Sequence, residues 1–262
     1  MDWLQALILG LVQGLTEFLP VSSSGHLELG KVVLDIQAKE NTIFAVVVHG
    51  ATVLSTIVIF RKDVWTLLKG LFRFRWNEET IYIAKLAFSM IPVLILGFIF
   101  DKEIKSLFTG NLVFVGSMLL VTAFLLSLTY IPVKNRRKIR FLDALIIGIA
   151  QAAAVIPGIS RSGATISTGL IIGNKKENIA RFSFLMVLVP IIGANLKDLF
   201  SEDMATEQTV SALPLIIGFF AAFISGLLAC KWMINLVKKG KLLYFAIYCL
   251  IIGITAILVG IL

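Results

Sequence analysis

Apolar runs of about 20 residues recur along the chain, and they constrain its fold more than any other feature. Four such runs are Thr42 to Phe60, Tyr82 to Phe100, Leu112 to Ile131 and Leu213 to Lys231. A helix needs about 20 apolar residues to cross roughly 30 Å of hydrocarbon. Since only 15% of the residues are charged, an ordinary soluble domain is excluded. We predict an all-α polytopic membrane protein in which residues 1–262 form a single integral membrane domain.

Neither the amino terminus nor the cysteines suggest another class of protein. Met1 to Leu4 contain no basic region and no small-residue cleavage site before the first apolar run, so we expect no signal peptide. Cys230 and Cys249 lie in apolar sequence without the spacing of metal ligands. We expect both to pack in the protein interior.

Basic residues form short clusters beside the apolar runs and give the chain a net charge of +8. They do not form a groove interleaved with aromatic residues, so we expect no nucleic-acid partner. Because Lys and Arg mark cytoplasmic loops and attract anionic membrane lipids, we assign to the inside the basic segments 61–75, 134–140, 175–176 and 238–241. The loops then assigned to the outside are 35–40, 101–109 and 201–208. Residues 61–76 should lie along the inner interface.

This sidedness predicts two segments that enter the membrane and turn back. Three spans, 42–60, 80–100 and 111–131, separate an outer loop near residue 38 from an inner loop near residue 137. An odd number of spans reverses sidedness. Residues 2–35 therefore start and end outside, whereas residues 141–175 start and end inside.

A weak internal repeat supports the same topology. At an offset of 138 residues, five positions of the first half carry the same residue types as five positions of the second. These pairs are Gly10 and Gly148, Gln13 and Gln151, Ser22 and Ser160, Ser24 and Ser162, and Gly25 and Gly163. We predict two inverted-topology repeats, residues 1–131 and 141–262, joined by the basic cytoplasmic loop 132–140. Each repeat would contain a re-entrant broken-helix pair followed by three transmembrane helices.

Two polar stretches lie inside this apolar sequence, and polar groups in lipid are expensive enough to indicate function. They are Gln13-Gly-Leu-Thr-Glu-Phe-Leu-Pro-Val-Ser-Ser-Ser-Gly-His26 and Pro157-Gly-Ile-Ser-Arg-Ser-Gly-Ala-Thr165. In each, a proline breaks the helix and a Ser-x-Ser-Gly sequence favours a new helix start. Two helix starts facing one cavity would suit a diphosphate, and Arg161 could bind phosphate oxygens in bidentate fashion.

Simpler structural roles remain open for these residues. The serines could bond the carbonyl one turn back, and Glu17 could reach an interface. His26 could tie the loop down by hydrogen bonds, and Arg161 could be a structural partner of Glu17. His49, alone in a valine-rich run, could support the site or make a packing contact.

The two motifs strongly resemble the signature motifs of the undecaprenyl-diphosphate phosphatase family, also called bacitracin resistance proteins. The resemblance covers essentially the whole chain. It implies a bacterial inner-membrane enzyme that hydrolyses undecaprenyl diphosphate to undecaprenyl phosphate and inorganic phosphate. This reaction recycles the lipid carrier for peptidoglycan synthesis and confers bacitracin resistance. The family also has inverted repeats, a site open to the periplasm and a tendency to form homodimers.

The resemblance also implies roles for single residues. Gln13 and Glu17 match an element associated with a divalent cation and catalysis, although Gln13 supplies no carboxylate. The hydroxyl and histidine positions of the first motif match Ser22, Ser23, Ser24 and His26. The diphosphate-binding loop of the family matches Ser160, Arg161, Ser162 and Thr165.

The chemistry can be argued from the residues as well. Phosphoryl transfer needs stabilisation of negative charge, which Arg161, loop N–H groups and a Mg²⁺ or Ca²⁺ ion on Glu17 and phosphate oxygens could supply. Ser23, or a water in its place, would attack the terminal phosphorus, while His26 or Glu17 transfers protons. Attack by a water held on the cation is an open alternative.

A different class of function shares the predicted architecture. Inverted repeats with broken helices are typical of secondary transporters, so a transporter or flippase of a polyprenyl phosphate or another anionic lipid is the competing hypothesis. A purely structural scaffold would leave both polar motifs unexplained. Hydroxyl, guanidinium, imidazole and carboxylate groups converging on phosphate favour turnover over binding alone.

Overall fold

The structure is a computed structural model that describes residues 1–34, 36, 42–108, 110–131, 133, 137–199 and 211–262. The regular elements of these residues are all helices, with one isolated bridge between Arg137 and Asn174. The all-α prediction is therefore confirmed for the described part of the chain. The predicted outer loop 201–208 lies outside the described residues, as do Lys134, Arg136 and most of loop 35–40.

Seven helices precede the connection between the two predicted halves. They are α1 (Trp3–Phe18), α2 (Ser23–Val33), α3 (Thr42–Ile59), α4 (Arg61–Leu71), α5 (Glu78–Ile99), α6 (Asp101–Ser106) and α7 (Leu112–Leu128). Polar residues set where several of them begin, because a side-chain oxygen can accept from a free N–H of the first turn. Asp2 forms a capping box at α1, and Asn77 and Asn111 cap α5 and α7.

Six helices follow in the described part of the second half. They are α8 (Phe141–Ala153), α9 (Arg161–Ile171), α10 (Lys176–Met186), α11 (Leu188–Leu199), α12 (Ala212–Lys239) and α13 (Leu243–Ile261). Helices α10 and α11 meet at Val187 and together supply one long apolar segment. Cys230 in α12 and Cys249 in α13 are fully buried, as expected.

By length and composition, four segments of the described residues can cross a membrane: Glu78–Ile99, Lys176–Lys197, Ala212–Lys239 and Leu243–Ile261. A fifth is added if α3 and α4 are counted as one span bent by 77°. Helix α7, with 17 residues, is shorter than the apolar run from which it was predicted. The chain is a multi-pass membrane protein, as predicted, whereas the inverted topology of its halves stays a prediction.

Helix α4 has the features expected of an interfacial segment. It turns away from α3 directly after Phe60, and exposed aromatic residues occur within it and just beyond its end, including Trp65 and Trp76. An ion pair of 2.8 Å between Asp63 and Arg181 ties it to α10. The predicted position of this segment along the inner interface accords with that geometry.

The first helix of each half packs against a long helix of the other half. Helix α1 packs on α12, and α8 packs on α5. Glycines permit both close approaches. A Cβ atom at Gly10 would lie 2.6 Å from the carbonyl oxygen of Gly218, and one at Gly148 would overlap the backbone of Ser89. This reciprocal packing brings the ends of α1 and α8, where both helices break, to one place.

Candidate active site

Both predicted helix breaks are present, and each is followed by a serine that caps the next helix. Helix α1 ends at Phe18, and the Ser22 side chain caps α2 by accepting from the N–H of Gly25 at 3.2 Å. Helix α8 ends at Ala153, and Ser160 caps α9 by accepting from the N–H of Gly163 at 3.1 Å. The predicted breaks and caps are confirmed.

The backbone of the first loop is strained at Ser22, which has a φ of 71°. Residues other than glycine rarely adopt this conformation, and such strain clusters at functional sites. The Ser22 carbonyl accepts from the backbone N–H of His26 at 3.1 Å and from its ring Nδ1 at 2.8 Å. These bonds hold the strained turn in place.

The two loops are joined by hydrogen bonds that hold their hydroxyl groups in position. In each loop the two serine hydroxyls of the Ser-x-Ser sequence lie 3.3 Å apart, Ser22 with Ser24 and Ser160 with Ser162. The Ser162 hydroxyl also donates to the carbonyl of Leu19 in the other loop, at 3.2 Å. This hydrogen bond connects the second loop to the first.

Thr122 of α7 supports the second loop from behind. Its hydroxyl donates to the carbonyl of Gly158 at 3.0 Å and accepts from the N–H of Ser160 at 2.9 Å. Gly158 has a φ of 96°, which glycine adopts without strain. Sequence reasoning missed Thr122, because a lone threonine in an apolar run gives no signal of such a contact.

Glu17 lies at the centre of the polar cluster and accepts three hydrogen bonds. Its Oε2 atom accepts from the Ser23 hydroxyl at 2.7 Å and from Gln13 Nε2 at 2.9 Å. Its Oε1 atom accepts from Arg161 Nη2 at 2.5 Å. The Glu17 side chain is 7% exposed and that of Arg161 is 29% exposed. Ser23 and Arg161 occupy equivalent positions of the two motifs, so both halves supply a donor to the same carboxylate.

A cavity of about 570 Å³ opens beside this cluster. Seven of the predicted site residues line it: Glu17, Ser22, Ser23, Ser24, Ser160, Arg161 and Ser162. The wall formed by α5, α6 and α11 is largely apolar, with Val93, Leu94, Phe98, Ile104, Phe108 and Ile191 among its residues. We refer to the lining supplied by the two motifs as the polar end of the cavity. The lining from α5, α6 and α11, which also includes the ion pair of Asp101 and Lys197, is referred to as the apolar end.

Three predicted site residues do not line the cavity. His26 turns its Nε2 atom to the Tyr248 hydroxyl at 2.9 Å and stacks on the Tyr248 ring. Thr165 is 1% exposed, and its hydroxyl lies 2.6 Å from that of Ser183. Gln13 is fully buried behind Glu17. The predicted roles of these three residues in catalysis, diphosphate binding and metal binding stay predictions.

Polar residues that the motifs did not include also line the cavity. His49 donates from Nδ1 to the carbonyl of Ala45 at 2.8 Å. An ion pair of 2.7 Å between Lys197 and Asp101 joins α11 to α6 at the cavity wall. Asn195 of α11 and Gln151 of α8 also line the cavity. Isolated polar residues within long apolar runs were the available sequence signal for His49 and Gln151.

The polar end offers oxygen donors to a cation without forming a complete cage. Within the described ranges, no group of three His, Cys, Asp or Glu residues is close enough to hold a metal ion. Among the described residues, Glu17 Oε1 accepts a single hydrogen bond, and the buried Oε1 atom of Gln13 accepts none. Mg²⁺ is often bound through one or two carboxylates plus substrate phosphates and waters. A cation at Glu17 would therefore take most of its coordination from the substrate and from water, and its presence stays a prediction.

Comparisons with known proteins agree with the resemblance seen in the two motifs. The family model for the bacitracin resistance protein BacA matches residues 6–255. A Bacteroides thetaiotaomicron protein named undecaprenyl-diphosphatase is 53% identical, and the alignment covers 98% of this chain and 99% of the relative. Proteins of the same name from Christiangramia forsetii and Methanobrevibacter smithii are 52% and 36% identical, each covered to at least 96%.

Proposed function

The chain belongs to the bacitracin resistance protein BacA family, and we propose that it hydrolyses undecaprenyl diphosphate to undecaprenyl phosphate and inorganic phosphate. The observation that carries the proposal is the contact of Glu17 with both Ser23 and Arg161 at a cavity between the two motifs. In a bacterial membrane, this reaction would return the lipid carrier to peptidoglycan synthesis and confer resistance to bacitracin.

The two ends of the cavity suit the two parts of this substrate. A guanidinium group has five N–H donors, and its bond to Glu17 engages one of the Arg161 donors. Arg161 can therefore bind phosphate oxygens while it stays paired. The starts of α2 and α9 add N–H groups and the positive ends of two helix dipoles. The apolar wall of α5, α6 and α11 would receive the first part of the prenyl chain.

In the first step, Ser23 attacks the terminal phosphorus. Its hydroxyl proton passes to Glu17 Oε2, which already accepts that hydrogen bond at 2.7 Å. A bond forms between Ser23 Oγ and phosphorus, and the bond from phosphorus to the bridging oxygen breaks. Undecaprenyl phosphate leaves with the electron pair. Arg161 stabilises the negative charge that spreads over the phosphoryl oxygens.

In the second step, water hydrolyses the phosphoserine. The water oxygen bonds to phosphorus, the bond from phosphorus to Ser23 Oγ breaks, and Oγ takes back the proton held by Glu17. Both protons of the water leave with inorganic phosphate, so the site returns to its starting state. Nucleophile and base in direct hydrogen-bond contact are the arrangement that such a cycle requires.

A divalent cation, Mg²⁺ or Ca²⁺, would be held by Glu17 together with phosphate oxygens of the substrate. When bound, it would supply positive charge that stabilises the phosphoryl oxygens.

Gln13 and His26 position the reacting groups. Gln13 donates to Glu17 and keeps its carboxylate oriented toward Ser23. His26 acts on the same chemistry through the Ser22 carbonyl, since its bond there fixes the turn that carries Ser23.

We propose that the cavity opens to the periplasm. Helix α5 follows the basic segment 61–75 and has 22 residues, which corresponds to about 33 Å. The cavity is lined by its far end, from Val93 to Gly97, and by Asp101 beyond it. If the basic segment is cytoplasmic, the cavity faces the opposite side of the membrane.

Phosphate release from undecaprenyl diphosphate by the purified protein in detergent tests this proposal. The assay compares wild type with Glu17→Ala and Arg161→Ala in Mg²⁺, in Ca²⁺ and in EDTA. We expect cation-dependent release by wild type and a loss of at least about 100-fold in each variant. Arg181→Ala is the matched control, because it removes an arginine from an ion pair that does not line the cavity.

The control should retain wild-type release. A folded wild-type protein that releases no phosphate in any of the three conditions would refute the proposal. Movement of the lipid phosphate across vesicle membranes by the same inactive protein would favour the transporter hypothesis instead.

A further inference from the structure

We propose that Gln151 is a further substrate-binding residue, whose side-chain amide donates a hydrogen bond to a phosphate oxygen of the lipid diphosphate. This inference rests on the proposed function and extends it. Gln151 lies on α8, one turn before the second helix break, and lines the cavity together with Glu17 and Arg161.

The amide of Gln151 is buried and has no hydrogen-bond partner. The residue is 1% exposed, and both Nε2 and Oε1 lack a partner within the described part of the chain. Leaving a buried polar group unpaired is costly, and native proteins retain few such groups. Because both amide atoms are also covered from solvent, the Gln151 side chain must turn toward the cavity to meet a partner that arrives with the ligand.

The equivalent residue of the first half shows what that partner should be. Gln13 corresponds to Gln151 at the offset of 138, and its Nε2 atom donates to the carboxylate of Glu17, four residues further on. The residue four positions after Gln151 is Val155, which offers no side-chain acceptor. Val155 also lines the cavity. An anionic phosphate oxygen would take the place of the absent carboxylate.

The hydrogen-bond donors beside Gln151 suit an anion at this position. Arg161 has N–H donors beyond the one bonded to Glu17, and it lines the same cavity. An amide N–H has the right polarity to add a further donor. The amide oxygen of Gln151 would accept from a water that enters with the diphosphate.

The test uses Gln151→Leu, with Ser167→Ala as the matched control. Ser167 is also fully buried, and its hydroxyl has no partner among the described residues, but it does not line the cavity. We expect Gln151→Leu to lower phosphate release about 10- to 100-fold at low substrate concentration, as loss of a hydrogen bond to a charged group does. Its unfolding midpoint should stay at or above that of wild type, because an unpaired amide has been removed.

Inorganic pyrophosphate provides a readout that does not depend on turnover. It should raise the unfolding midpoint of wild type and of Ser167→Ala, and this increase should be largely lost in Gln151→Leu. If the leucine variant does not fold, Gln151→Asn takes its place, since it keeps the amide but shortens the side chain by one methylene. The asparagine variant should also show reduced pyrophosphate stabilisation.

The outcomes separate this inference from the proposed function. If wild type releases phosphate, and Gln151→Leu shows the same release and the same stabilisation by pyrophosphate, the inference about Gln151 is overturned. The proposed function is unaffected by that result. A lowered unfolding midpoint in Gln151→Leu with normal pyrophosphate stabilisation would assign Gln151 a structural role and overturn it too. If wild type releases no phosphate but pyrophosphate stabilises it, and this stabilisation is lost in Gln151→Leu, the inference is supported. The same result would refute the enzyme proposal.

Discussion

The ion pair between Glu17 and Arg161 joins the two halves of the chain, and its contribution can be measured with a double-mutant cycle. Glu17→Gln and Arg161→Gln remove one charge each, and the double variant removes both. In the folded protein, the two groups are 2.5 Å apart, and their side chains are 7% and 29% exposed. Each single variant leaves the opposite charge without its partner.

The expected coupling lies between the values for exposed and buried pairs. Unit charges about 4 Å apart attract by about 4 kcal/mol at an effective dielectric constant of about 20. Exposed pairs contribute about 0.2–1 kcal/mol, whereas breaking a fully buried pair costs about 3–5 kcal/mol. Because Arg161 is partly exposed at the cavity wall, we expect a coupling of about 2 kcal/mol.

Unfolding of the purified variants in detergent measures this coupling. The free-energy losses of the two single variants should sum to more than the loss of the double variant by about 2 kcal/mol. A cycle on Asp63 and Arg181, which are 32% and 40% exposed, serves as the control and should give less than about 1 kcal/mol. Phosphate release should be equally non-additive, with the double variant about as slow as the slower single variant.

Additive losses for Glu17 and Arg161, within about 0.5 kcal/mol, would refute this reasoning. They would mean that the two charges do not depend on each other in the folded protein. The second half would then supply no partner to the carboxylate of the first.

Three further predictions concern two glycines and His26. Gly14→Ala should lower the free energy of unfolding by about 1–3 kcal/mol, because its Cβ atom would overlap α12. Gly97→Ala should leave the free energy of unfolding unchanged or raise it, since its Cβ atom would meet open space. Gly97→Leu should slow phosphate release from undecaprenyl diphosphate more than from a short-chain prenyl diphosphate, because the leucine would fill the apolar end of the cavity. Equal slowing with both substrates would contradict the assignment of this end to the prenyl chain. His26→Ala should lower phosphate release by at least about 10-fold and Tyr248→Phe by less, since only the first removes the ring hydrogen bond to the Ser22 carbonyl. A His26→Ala variant as active as wild type would exclude both a positioning and a catalytic role.

Local features of the site could be predicted from the sequence. The breaks near Pro20 and Pro157 and the caps at Ser22 and Ser160 follow from short-range chemistry, since proline removes a donor and serine supplies an acceptor. The pairing of Arg161 with Glu17 was an open alternative in the sequence, and the structure shows that contact directly. The breaks and caps depend on residues within about one turn, whereas the contact of Arg161 with Glu17 depends on how the two halves pack.

Features that depend on helix rotation could not be predicted. Helices that are apolar on all sides give no indication of which face lines a cavity. The contact of Thr122 with the second loop, and the lack of a partner for Gln151, therefore become visible only once the helices are packed. For the same reason, the sequence placed His26 and Thr165 in the motifs but did not show that they face Tyr248 and Ser183 and not the cavity.

The most direct test of the proposed chemistry is the single-turnover rate of phosphate release by Ser23→Ala and Ser24→Ala. Both hydroxyls line the cavity, but Ser23 donates to Glu17, whereas the Ser24 hydroxyl lies against that of Ser22. If Ser23 is the nucleophile, Ser23→Ala should lower the rate by at least about 10⁴-fold, and Ser24→Ala by less than about 100-fold. A folded Ser23→Ala variant that releases phosphate within about 10-fold of wild type would contradict the account and assign the attack to water.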